Sequence, residues 1–100
     1  MKEADFIIKT ETEFLKYLKS KFPLIHMSNV FFRDVHYGVM SYLKDHRMKM
    51  KYQDAEMVAR EVLEALERKD ILKKIDHQSW LVNYPEFALP RVEKKAVTAA

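Results

Sequence analysis

The sequence predicts a small α+β domain, three helices followed by a β-hairpin, on three observations. Ala55, Val58, Ala59, Val62, Leu63 and Leu66 recur at i, i+3, i+4, i+7, i+8 and i+11, which is one face of a helix. Lys69-Asp70 then breaks the period. Residues 71–75 and 80–84 follow as two short strand-like runs, and the polar Asp76-His77-Gln78-Ser79 between them reads as a hairpin turn.

The earlier elements are read in chain order. Phe6-Ile7-Ile8 fits either a short strand or a hydrophobic anchor, so residues 1–9 are taken as an N-terminal arm. Thr10 and Glu13 form a T-x-x-E capping box, in which each side chain satisfies an orphan backbone N–H at a helix start. Phe14, Leu15, Leu18 and Phe22 continue that helix, and Pro23 stops it. Ser28 or Asn29 suits the N-cap of a second helix reaching about Asp45. Val30, Phe31, Val35, Val39, Tyr42 and Leu43 form its inner face, while Phe32, Tyr37 and Met40 make it apolar most of the way round. A helix of that kind is central to the core or contacts a partner. Gly38, the only glycine, sits inside it at a cost of about 1 kcal/mol against alanine, which implies a close helix crossing. Met48-Lys49-Met50-Lys51-Tyr52 alternates like a strand and is expected beside the hairpin. Gln53, Asp54 and Glu56 open the third helix. The domain is expected over residues 10–87, with residues 88–100 a flexible tail.

Composition bounds the function. One hundred residues, 48% hydrophobic and 33% charged, suit one globular domain that buries roughly 60–70% of its unfolded surface. The absence of cysteine removes disulfides, thiolate chemistry and Cys-containing zinc sites, and fits a reducing compartment. The N-terminus lacks the pattern of a signal peptide, and no apolar run is long enough to span a bilayer. A cytoplasmic protein that does not engage membranes is expected. His26, His36, His46 and His77 lack metal-ligand spacing, and His46 suits the negative end of the second helix. With no nucleophile elbow and no glycine-rich phosphate loop, neither an enzyme nor a cofactor is expected.

The net charge of +3 is unevenly spread. Residues 44–51 carry Lys44, Arg47, Lys49 and Lys51 against Asp45 alone, whereas residues 54–70 carry six acids against three bases. A basic segment therefore precedes an acidic helix.

The order helix, helix, helix, hairpin over residues 10–87, with Val58-Ala59-Arg60-Glu61-Val62-Leu63-Glu64-Ala65-Leu66-Glu67-Arg68-Lys69-Asp70-Ile71-Leu72 at its centre, resembles a winged-helix domain. The resemblance implies a recognition helix beginning near Gln53, a wing carrying Lys73, Lys74 and His77, and a role in DNA binding and transcription regulation. The connection 46–52 is longer than the three- or four-residue turn of a helix-turn-helix. Asp70 stands where such families often place glycine, which requires a left-handed backbone or a different turn. DEP domains, winged-helix relatives that bind proteins and membranes, are similar in running a helix such as Asp54-Ala55-Glu56 into a hairpin with an aromatic, here Trp80.

Two partners are therefore expected. Double-stranded DNA would be met by a homodimer, with Lys44, Arg47, Lys49, Lys51, Lys73, Lys74 and His77 near phosphates and Gln53 and Arg60 near bases. The charges on the third helix equally fit a solvated face with pairs such as Glu56–Arg60 and Glu64–Arg68. A protein partner would instead use the acidic third helix or the aromatic flank of the second, with an exposed apolar patch of several hundred Å² built from residues such as Phe32, Tyr37 and Met40. Burial of those side chains within one chain would count against it.

Overall fold

The computed structural model describes residues 2–88, so the predicted tail lies outside the described residues apart from Ala88. Four helices and a three-stranded antiparallel sheet form the α+β domain: α1 (Lys2–Lys9), α2 (Glu11–Lys21), β1 (Asn29–Phe31), α3 (Phe32–Asp45), α4 (Tyr52–Arg68), β2 (Leu72–Asp76) and β3 (Ser79–Val82), then a 3₁₀ turn at Pro85–Phe87. The sheet order is β1-β3-β2, with β3 central.

The N-terminal arm is a helix. Ala4 and Ile7 of α1 are fully buried, so Phe6-Ile7-Ile8 anchors the chain as part of a helix rather than a strand. The expected capping box at Thr10 does not form. Thr10 instead continues the helical ladder, its N–H reaching the Phe6 carbonyl at 3.1 Å and its hydroxyl the same carbonyl at 3.0 Å. Such back-bonding to the residue four before competes with capping and bends helices, which fits the break between α1 and α2.

The second predicted helix begins later than its sequence suggests. Residues 28–31 are committed to β3: Val82 N–H donates to the Ser28 carbonyl at 2.8 Å, and Val30 lies opposite Trp80. Val30 is buried from the sheet and Phe31 is exposed, so neither lies on an inner helix face. Gly38 faces Leu18 of α2, and a Cβ there would overlap Leu18 Cδ2, which is the close crossing its position implies.

The third strand is thus β1, not residues 48–52. β2 and β1 occupy both edges of β3, and residues 48–51 pair with neither outer strand. Residues 46–48 instead finish α3. Met48 N–H donates to the Leu43 carbonyl at 2.7 Å and Arg47 N–H to the Lys44 carbonyl at 2.9 Å, with Arg47 left-handed at φ 62°. This is a Schellman cap, which satisfies carbonyls the helix end would otherwise orphan. α4 ends the same way: Ile71 N–H reaches Leu66, Asp70 N–H reaches Glu67, and Asp70 has φ 61°. Asp70 therefore takes the left-handed conformation its position demands.

The core joins α1 to α4 and the sheet through Ile7, Phe14, Leu43, Val58, Leu63 and Trp80. Trp80 covers it beneath the hairpin, and its indole N–H donates to Glu67 Oε2 at 2.7 Å, satisfying the one polar atom that burial would otherwise strand.

Candidate interaction surface

The two ends of α3 treat their basic residues differently. At the N-terminal end, Phe32 N–H donates to the Gln78 carbonyl at 2.8 Å and ties α3 to the hairpin turn. The Arg60 guanidinium lies 3.9 Å from the centre of the buried Phe32 ring and donates to the His77 carbonyl at 3.3 Å. Arg60 thus holds α4, α3 and the hairpin together. His77 is exposed in that turn. The turn is closed by Asp76, whose Oδ1 accepts from Gln78 N–H at 2.8 Å and the Ser79 hydroxyl at 2.9 Å. Those hydrogen bonds to the carboxylate hold it below its ordinary pKa.

At the other end, Lys44 and Lys49 face each other across a groove of about 350 Å³ lined also by Tyr37, Met40, Ser41 and Met50. The α3 wall is built by spacing. Tyr37, Met40, Ser41 and Lys44 fall at i, i+3, i+4 and i+7 on one helical face, and the exposed Arg33 extends that stripe toward the hairpin end, outside the groove lining. Tyr37 is 58% exposed and meets Phe22 edge-on, with ring centroids 6.1 Å apart. The capped segment after α3 forms the opposite wall. Tyr17 hydroxyl donates to Asp45 at 3.0 Å, so the one acid beside this basic segment is held by α2.

The predicted phosphate-contacting residues divide into two groups. Lys44 and Lys49 share the groove, with Arg47, Lys51 and Gln53 exposed on the capped segment and the start of α4. Lys73 and Lys74 lie on β2, opposite Leu81 and Trp80 respectively, so they point to opposite faces of the sheet. Phe32, beside the hairpin turn, and Lys44, in the groove, stand at opposite ends of α3, about 18 Å apart along its axis. The solvent side of α4 between them presents Gln53, Met57 and Glu64.

Three of the four histidines are used internally, whereas His77 faces solvent in the hairpin turn. His36 donates from Nε2 to the Tyr52 carbonyl at 3.0 Å, His46 contacts the Tyr42 carbonyl at 2.8 Å, and His26 Nδ1 accepts from Tyr84 N–H at 3.0 Å. Among the described residues, no group of three or more His, Cys, Asp or Glu is placed to hold a metal, and no helix is long and apolar enough to cross a membrane.

Ser41 and Met50 line this groove and are passed over by residue-type reasoning. Ser41 lies four residues after Tyr37, a spacing that puts it on the groove face, whereas Met50 joins the groove only through the Schellman turn. No protein-family profile, no curated protein and no solved structure matches the chain.

Proposed function

We propose that this chain is a winged-helix binding module that docks a protein partner in the groove between α3 and residues 46–51. The order α2, α3, α4, hairpin supports the winged-helix reading. One observation carries the choice of partner: Tyr37 is exposed beside Lys44 and Lys49 in a groove that the half-buried Met40 and Met50 also line, while Phe32, expected in the same patch, is buried. A groove with an exposed aromatic, a half-buried methionine floor and two lysines suits a partner segment whose apolar side chains are flanked by carboxylates, because both contacts form together. The helix in the recognition position is poorly suited to DNA. Its exposed residues include Asp54, Glu56 and Glu64, which repel phosphate, and Arg60 is already engaged by Phe32 and His77.

Double-stranded DNA is the second reading, favoured by the exposure of Lys49, Lys51 and Gln53 together at the start of α4. Two titrations separate the readings. The first follows the Met40 and Met50 methyl resonances while a helical peptide, unrelated to this chain and carrying Glu on either side of Leu and Met, is added. Both methyls should shift, and Lys44→Glu/Lys49→Glu should abolish the shifts. The second adds a random-sequence DNA duplex across a salt series. Micromolar binding that weakens steeply with salt and is lost in Lys49→Glu/Lys51→Glu, with no response to the peptide, would reassign the module to nucleic acid.

A further inference from the structure

The chain carries, on another face, a segment with the chemistry its own groove requires. On α4, Asp54, Met57 and Glu64 fall at i, i+3 and i+10, a stripe with acids at its ends and an apolar side chain between. Met57 is 57% exposed, so its side chain is open to a partner, and Glu61 lies half-buried on the same face. The α3 stripe has the opposite arrangement: Arg33 and Lys44 at its ends, Tyr37 and Met40 between, with Lys49 and Met50 across the groove. The two surfaces adjoin in sequence, since Met50 lines the groove and Tyr52 opens α4.

We infer that the occupant of the groove is a second copy of this chain, which lays the acidic, Met57-bearing face of α4 along the α3 stripe. The inference rests on reading the groove as a protein-docking site and goes beyond it by naming the partner. Charge complementarity selects the occupant. Asp54 and Glu64 meet the cationic ends of the stripe, and Met57 enters between Tyr37 and Met40 or Met50. A two-fold axis makes the contact reciprocal, each copy offering its groove and receiving a helix, so assembly closes at a dimer. α4 cannot fill the groove of its own chain, because its opposite face, Ala55, Val58, Ala59, Val62 and Leu63, is buried in the core.

Sedimentation equilibrium of the full chain from about 10 µM to 1 mM tests this, at low salt and at about 0.5 M salt. A monomer–dimer equilibrium weakened at least tenfold by the higher salt is expected. Two charge-reversed chains are then compared, one with Lys44→Glu/Lys49→Glu and the other with Asp54→Lys/Glu64→Lys. All four positions are at the surface, and circular dichroism verifies that both chains fold. Each alone should be monomeric across the range. Mixed in equal amounts they should form a heterodimer, because each groove again faces a helix of opposite charge.

A wild-type chain that stays monomeric at every concentration and salt would overturn the inference. So would a dimer that persists in both reversed chains, since another surface would then hold it. Neither result touches the groove itself, which the unrelated acidic peptide tests separately. A heterodimer that forms only on mixing supports the pairing.

Discussion

The two ends of α3 contain the same kinds of side chain used in opposite ways. At the hairpin end an aromatic, Phe32, is buried and a cation, Arg60, is turned inward to cover it and to hold the His77 carbonyl. At the groove end an aromatic, Tyr37, is open to solvent, and Lys44 and Lys49 stand beside it. The first arrangement stabilises the fold, because every group finds its partner within the chain. The second leaves the Tyr37 ring and two ammonium groups facing solvent, the chemistry that the proposed partner would meet. Stability and function are therefore separated along one helix, and substitutions at its two ends should move different observables.

The largest effect expected from that separation comes from truncating the two aromatics. Phe32→Ala should cost about 3–5 kcal/mol in urea denaturation, because it removes a buried ring and the platform beneath Arg60. Tyr37→Ala should cost less than about 1 kcal/mol while abolishing the response of the groove to the acidic peptide. Equal losses of stability at the two positions would collapse the distinction.

A smaller effect sharpens it. Arg60→Ala should destabilise by about 1 kcal/mol, combining the loss of the cation–ring contact and of the bond to His77. Arg60→Lys should restore little, since an ammonium cannot lie flat on the ring and bond sideways to the carbonyl at once. Lys44→Ala and Lys49→Ala, measured in the same denaturation series, should stay within about 0.5 kcal/mol of the parent. If Arg60→Ala is equally silent, the hairpin end is not a stabilising clamp.

The smallest expected effects run the other way. Arg47 is left-handed without the backbone freedom of glycine, so Arg47→Gly should raise stability by about 0.5–1 kcal/mol. Asp70→Gly should gain less, because aspartate tolerates that conformation better. The thermal midpoints of the two variants check both statements. A loss at position 47 would mean that the Arg47 side chain stabilises the cap by more than its backbone strain.

What was legible in the sequence follows from how far local pattern governs each segment. α4 and the hairpin are readable because a one-face helical period gives way to two short apolar runs about a polar turn. β1 is not, since Asn29-Val30-Phe31 runs directly into an apolar helix and is defined only by distant β3. Residues 48–52 mislead for the converse reason. Their alternation is genuine, but the edges of β3 are taken and the Leu43 carbonyl claims Met48 N–H. The first helix is obscured because Thr10, which resembles a helix start, lies between two helical segments. The basic residues of the candidate site could be picked out by charge. Their separation from Lys73 and Lys74 could not, because it depends on residues 48–52 turning back onto the end of α3 instead of joining the sheet.

The burial of Trp80 has a spectroscopic consequence. It is the only tryptophan in the chain, and its indole N–H is bound to Glu67 beneath the hairpin. Its emission therefore reads the hairpin end of the molecule alone, with the groove some distance beyond the end of α3 it watches. An occupant that fills the groove and leaves this fluorescence unchanged is sensed only locally. One that alters it has transmitted its arrival along α3, and the native protein would report that coupling without any attached dye.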